Sequence, residues 1–309
     1  MGKYIGKRLL HLVWILIAIS FLTFLLMYLA PGDAAMKKLN AQGIAVSQEV
    51  LDAVRADMGL DRPFLVQYGD WALHALRGDL GESYKDGVSV AAKIGKALGF
   101  TAELALGSMV LSLLISLPLA ILTALKRDTV LDYFIRFLTF FGNSMPNFLI
   151  SVLLMYFLCV RARLLPVVAE QSLKGLLLPA VALSVPMCGR FIRQFRAEIL
   201  EQLSRSYVSG AVSRGVKNRY ILYRNVLHNA SITILTIVGL QIGTLFGGSV
   251  VIETIFRWPG LGKLAMDAIT NRDYPVIQGF VLFTAVVYVL VNLLTDIAYR
   301  WIDPRVREE

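Results

Sequence analysis

Very few residues in this chain are placed to do covalent chemistry. Its three histidines, His11, His74 and His228, lie far apart, and none sits in a His-Glu-x-x-His pattern that would set two imidazoles on one helix face around a metal. The two cysteines, Cys159 and Cys188, both fall in apolar stretches without metal-type or disulfide-framework spacing, and read as small hydrophobes packed between helices. No Gly-x-Ser-x-Gly elbow occurs. The nearest approach to a phosphate-cradling loop, Gly260-Leu261-Gly262-Lys263-Leu264, lacks the upstream glycine and the hydroxyl that would reach magnesium. What remains is non-covalent chemistry: polar groups and glycines inside apolar runs, and an arginine-rich amphipathic stretch between two of them.

The elements that must position these groups follow from composition. The 309 residues are 56% hydrophobic and only 17% charged, against about 45–50% and 25% for a soluble domain. So large an apolar excess makes lipid the solvent for much of the surface. Runs at 9–30, 102–125, 137–160, 230–252 and 276–295 are each long enough to span a bilayer, and 176–189, which holds Pro179 and Pro186, spans if extended through Phe191 and Ile192, with Arg190 and Arg193 reaching to the water interface. The first run follows Lys3, Lys7 and Arg8, but its 22 residues exceed a signal-peptide core and cover about 33 Å as a helix, so it is read as a retained span. The expected fold class is an all-α membrane protein with six transmembrane helices.

Six spans put both termini on one side, and charge says which. Segments 1–8, 126–136, 190–224 and 300–309 hold 17 Lys and Arg in 64 residues, whereas 31–98, 161–175 and 253–277 hold 14 in 108. The roughly twofold higher basic density places the first set, and both termini, in the cytoplasm. The net charge of +9 is thereby explained by orientation, and nucleic acid is not an expected partner because the basic residues lie between apolar runs. The expected organisation is a cytoplasmic N-terminus and first span over 1–30, an extracytoplasmic domain over 31–98, a five-helix core over 99–302 and a cytoplasmic tail over 303–309.

The cytoplasmic segment 190–224 is the most informative. Ile192, Phe195, Ile199, Leu203, Tyr207 and Ala211 recur at steps of three or four and share one helical face, while Arg193, Arg196, Glu198 and Glu201 occupy others. A helix through Tyr207 and Arg214 would stop at Gly215, a residue suited to the left-handed turn after a helix. From pattern alone, a helix lying on the membrane surface, a plain structural loop and a helix docking into a groove on a cytosolic partner all stay open.

The residues Arg196-x4-Glu201-x5-Tyr207-Val208-x2-Ala211-x3-Gly215 resemble the cytoplasmic "EAA" loop of binding-protein-dependent ABC importer permeases. Similar matches run in order along essentially the whole chain. Leu29-Ala30-Pro31-Gly32-Asp33, Gly59-Leu60-Asp61-Arg62-Pro63 and Gly78-Asp79-Leu80-Gly81 look like the first segment of the dipeptide, oligopeptide and nickel permeases, and Asn143-Ser144-Met145-Pro146-Asn147-Phe148 looks like their third-helix motif. The stretch from Glu253 through Phe256, Trp258, Pro259 and Gly260 to Gly262, then Asn271-Arg272-Asp273-Tyr274-Pro275-Val276 and Asp303-Pro304-Arg305, completes the series.

The resemblance, to the first or "B-type" permease subunit, implies the type I importer permease fold and an inner-membrane location. It implies a non-enzymatic role, with no cofactor on this chain and with ATP and magnesium held by partner subunits. The implied partners are a second homologous permease, two cytosolic ATPases and an extracytoplasmic substrate-binding protein, besides membrane lipid. Coupling to the ATPases is implied for Glu201, Tyr207, Val208, Ala211, Ser213, Gly215 and Lys217 of the 199–217 loop. Glu253, Phe256, Trp258, Pro259, Gly260 and Gly262 are implied at an outer gate where the binding protein docks, although an aromatic such as Trp258 also commonly anchors a helix at the interface. The chain departs from the family at Thr233, where a proline is common, which leaves open the bend at the start of the fifth span.

Gly239, Gly243 and Gly247, with Gly248 adjacent, are spaced to let helices approach closely, and Asn143, Ser144, Pro146 and Asn147 interrupt the third span. Both groups fit either a translocation path or internal packing. Glu103, near the outer end of the second span, fits either a functional acid or a side chain reaching water. A secondary transporter would need inverted repeats and intramembrane ionisable groups; no repeat is visible, and only Glu103 and Asp296 qualify. As to cargo, Asn40-Ala41-Gln42-Gly43 ahead of a helix over 50–58 resembles nickel or metal-chelate permeases more than peptide ones, with dipeptide or oligopeptide import as the alternative.

Overall fold

A computed structural model of the protein describes residues 2–30, 33–41, 47–166, 168 and 170–302. Its elements are α1 Gly2–Leu29, α2 Ala34–Ala41, α3 Gln48–Asp57, α4 Phe64–Leu76, α5 Val90–Leu125, α6 Val130–Ser144, α7 Asn147–Leu154, α8 Leu173–Leu203, α9 Ser206–Ser213, α10 Asn218–Tyr220, α11 Leu227–Gly248, α12 Val250–Phe256, α13 Leu261–Asn271 and α14 Tyr274–Ile302. Wider π-type turns continue α7 through Met155–Arg161 and lead into α11 through Ile221–Val226. Among the described residues the only extended pairing is one isolated antiparallel bridge, Glu82 with Ser89.

Four helical stretches among the described residues are long and apolar enough to cross a bilayer: His11–Leu29, Val90–Leu125, Leu173–Leu203 and Tyr274–Val291. A fifth crossing results if Val130–Ser144 and Asn147–Arg161, bent by 103° where they meet, count as one broken span. The chain is thus an all-helical membrane protein with several apolar spans. The side chains agree: Trp14, Leu22 and Leu26 of α1 and Leu106, Val110 and Leu114 of α5 stand exposed, an arrangement that lipid solvates and water would not.

Two elements exceed their sequence-based bounds the most. The helix expected over 102–125 begins at Val90, and its 36 residues reach about 54 Å, well beyond a hydrocarbon core of about 30 Å. The short run at 176–189 is part of a 31-residue helix that passes through both Pro179 and Pro186 into the predicted cytoplasmic loop. Pro179 and Pro186 are buried, and so are Leu178, Ala182, Leu183, Met187, Phe191 and Phe195, so packing along α8 outweighs the lost backbone bonds.

The chain divides into two compact units, Met1–Thr101 with Pro259–Leu293, and Ala102–Trp258 with Leu294–Glu309. In the first, Val90, Ile94 and Ala97 on one face of α5 pack with Leu261, Ala268 and Val276. Phe21, Phe24 and Tyr28 of α1 meet Phe64 of α4 edge-on at 5.2–5.5 Å between ring centroids. In the second unit α6 packs antiparallel along α8. Asp132 meets Arg196, seven residues on along α6 Thr139 meets Gly189, seven residues back along α8, and Gly142 meets Val185. A Cβ on Gly189 would lie 2.7 Å from the Thr139 carbonyl oxygen, so only glycine permits this approach.

Candidate functional site

The predicted coupling segment folds as two helices. α8 ends at Leu203, Ser204 and Arg205 form a break, and α9 runs over Ser206–Ser213. At its end Gly215 has φ +73°, the Gly215 amide donates to the Val212 carbonyl at 2.9 Å and the Val216 amide to the Ala211 carbonyl at 3.1 Å. That paired pattern satisfies two otherwise free carbonyls and needs a residue at ease with positive φ. The stop expected at Gly215 is therefore where the helix stops.

The remaining residues of the loop separate into inward and outward sets. The Tyr207 hydroxyl donates to Gln202 Oε1 at 3.1 Å, and Gln202 Nε2 donates to Glu198 at 2.9 Å, tying α9 to the last turns of α8. Ala211 is buried within this chain, and α9 lies against Ile221–Val226. Val208 is half-buried, whereas Val212, Ser213, Arg214, Val216 and Lys217 are exposed. Glu201 is exposed and accepts from Arg205 at 2.5 Å, one helical turn on.

The interruption in the third span is explained by Pro146. Its ring disfavours helical backbone in the preceding residue, and Met145 is extended at ψ 132°. α6 ends at Ser144 and α7 restarts at Asn147 after the 103° bend. Asn143, Ser144 and Pro146 are exposed at that corner and Asn147 is half-buried. Ser144 Oγ donates back to the Phe140 carbonyl and Ser151 Oγ to the Asn147 carbonyl, both at 2.8 Å.

Gly239, Gly243, Gly247 and Gly248 all fall within α11, which runs unbroken through Thr233; the irregular backbone sits upstream, in the π-type turn Ile221–Val226. What surrounds the last three glycines lies outside the described residues. Glu253 and Phe256 of α12 and the following Trp258 are buried, so Trp258 is a packed side chain rather than an interfacial anchor. Gly260 precedes α13 in extended backbone, accepting from the Leu264 amide at 3.0 Å, and Gly262 is buried. Glu103 is exposed on α5. Pro31, Gly32, Gln42, Gly43 and Asp303-Pro304-Arg305 lie outside the described residues.

Two buried carboxylates that sequence reasoning left without a role organise contacts, one in each compact unit. Asp132, fully buried, accepts from Arg196 Nε at 3.0 Å and Nη2 at 2.7 Å, and from the Asp128 amide at 3.1 Å, with Arg136 at 3.7 Å. Asp273, also buried, accepts from Ser83 Oγ at 2.5 Å and the Tyr84 amide at 2.9 Å, while Lys93 bridges Ser83 and Asp86. This second cluster explains the Asn271–Val276 motif: it fastens the 81–89 loop to the α13–α14 corner. Burial, with the Asp273 charge and Tyr274 nearby, pushes the Tyr84 phenol up to about 12. Arg196 carried a signal as the first residue of the loop motif and Asp273 as part of the Asn271–Val276 motif, whereas Asp132 carried none.

Comparison with known proteins decides the family. The description "Binding-protein-dependent transport system inner membrane component" matches residues 116–308, and the corresponding N-terminal component matches residues 1–105. The chain belongs to this family. It is 36% identical over 315 residues to a probable peptide ABC transporter permease, y4tP, of Sinorhizobium fredii, covering 99% of this chain and 100% of the relative. It is 36% identical over 309 residues to the metal-staphylopine import permease CntB of Staphylococcus aureus, covering 100% and 99%. A glutathione transport permease, GsiC, of Salmonella typhimurium is also 36% identical, over 307 residues and 99% of each chain. Among solved structures, the MetNI methionine ABC transporter in an inward-facing conformation matches with a TM-score of 0.57 at 18% identity, over 68% of this chain and 96% of that one, a likeness of fold.

This permease is therefore a multi-pass inner-membrane component of an ABC transporter, and ATP hydrolysis belongs to a separate subunit. The family's dependence on a binding protein brings that protein and an ATPase in as partners of the assembly.

Proposed function

We propose that this permease forms half of the pore of an importer for a small solute of the peptide, glutathione or metal-chelate class, driven through the 199–217 loop. It crosses the membrane six times with both termini in the cytoplasm, and residues 31–98 form an extracytoplasmic domain. It pairs with a second, similar permease. Two cytosolic ATPases act on the loop, and an extracytoplasmic binding protein delivers the solute near Glu253, Phe256, Trp258, Pro259, Gly260 and Gly262. The observation that carries this reading is α9 itself. The loop is a short helix fixed to α8 by Tyr207, closed by Gly215 at positive φ, with Val212, Ser213, Arg214 and Val216 turned outward. An ATPase that closes on ATP shifts a two-state pore only through contacts that differ between the states, and this helix supplies a rigid handle for them.

Gly215→Asp places a charged side chain in left-handed backbone and is expected to abolish ATP-driven uptake in proteoliposomes while ATP hydrolysis continues. Normal uptake by that variant refutes the coupling assignment, and labelling of Ser209→Cys or Ser213→Cys from outside intact cells refutes the topology.

The solute is set largely by the binding protein. The equal likeness to peptide, metal-staphylopine and glutathione permeases supports the class. Within that class, the stretch Asn40-Ala41-Gln42-Gly43 favours nickel or a metal chelate over a dipeptide or oligopeptide. Calorimetric binding of dipeptides, glutathione and nickel chelates to the cognate binding protein decides between them.

A further inference from the structure

The coupling loop and the bend in the third span belong to different helices, yet the second unit joins them by one continuous contact. α8 runs without a break from Leu173 to Leu203, directly before α9. α6 lies along it at three levels: Asp132 on Arg196, Thr139 and Asn143 on Gly189, and Gly142 on Val185. α6 then ends at the 103° corner of Met145 and Pro146. The contact is held from both ends by different physics, a buried bidentate guanidinium–carboxylate pair at one and backbone-to-backbone packing at a glycine near the other.

We propose that Asp132 and Arg196 are positioning residues that lock α6 to α8, so that displacement of the α9 loop is delivered to the Met145-Pro146 corner as one rigid movement. This rests on the coupling role proposed above for the loop. Asp132 is fully buried, Arg196 is 15% exposed, and the two sit 64 residues apart in sequence. Both carboxylate oxygens are engaged, by Nε at 3.0 Å and Nη2 at 2.7 Å, a forked geometry that fixes orientation as well as distance. A buried ion pair is a poor means of adding stability, since apolar side chains of similar volume often hold as well or better. What an apolar pair lacks is directional register. A helix joined by the forked pair turns and slides with its neighbour; one joined by apolar contact can slip.

The test compares three variants in the full reconstituted importer, with the native complex and Gly215→Asp as controls, and reads solute imported per ATP hydrolysed. Asp132→Asn removes the charge, Asp132→Leu with Arg196→Met replaces the pair by apolar groups that keep α6 and α8 packed, and Gly189→Ala pushes the Thr139 backbone away. All three are expected to lower the import-to-hydrolysis ratio by about tenfold, with the apolar double variant assembling and melting like the native complex. A merely structural pair would leave that ratio unchanged in the double variant, and this result overturns the proposal. If Gly215→Asp itself imports normally, the loop does not couple, and the proposal falls together with the reading it rests on.

Discussion

Asp273 in one compact unit and Asp132 in the other are both buried aspartates, and each is satisfied by partners distant in the chain, but by opposite means. Asp273 takes a hydroxyl and a backbone amide, Ser83 and Tyr84, across 190 and 189 residues. Asp132 takes a forked guanidinium across 64 residues, with a second arginine, Arg136, at 3.7 Å. The neutral donors anchor a loop to a helix corner and ask nothing of the loop's charge. The guanidinium joins two long helices, and removing its counter-charge leaves Arg196, largely buried, without its partner. The difference teaches that the first cluster fixes a loop to a corner, whereas the second fixes the register of two long helices.

The same substitution at both sites separates these roles. Asp132→Asn is expected to lower stability most, by about 3 kcal/mol, because breaking one side of a buried pair leaves a charge uncompensated. Asp273→Asn keeps an acceptor for the Tyr84 amide and is expected to cost about 1.5 kcal/mol, the scale of a hydrogen bond to a charged group. Ser83→Ala, which removes one neutral donor and its Lys93 contact, is expected to cost about 1 kcal/mol. Thermal unfolding of the three purified variants in one detergent gives the order directly. An Asp273→Asn protein less stable than Asp132→Asn would reverse the comparison.

Much of the local structure was legible because it depends on residues next to one another. Pro146 dictates extended backbone at Met145, and the third span breaks there. Gly215, three or four residues beyond the last apolar steps, marks a helix stop, and it carries the positive φ that the stop needs. Length and apolarity announced spans at α1, α5, α8 and α14. The run at 176–189 understates α8: extended through Ile192 it spans, but packing of the buried face that holds Pro179 and Pro186 carries the helix on to Leu203. Trp258 likewise suggested an interfacial anchor, and its burial is a tertiary fact with no local signature.

The sequence by itself determined that the chain lives in lipid, that its basic segments alternate with apolar ones, and that it belongs with binding-protein-dependent permeases. These follow from solvation, charge and ordered motifs, each a property of residues near in sequence. Only the tertiary structure decided which carboxylate meets which donor. Asp132 with Arg196, Asp273 with Ser83 and Gly189 against the Thr139 carbonyl are matters of how distant helices and loops pack, and no pattern of neighbouring residues encodes a distance across that packing.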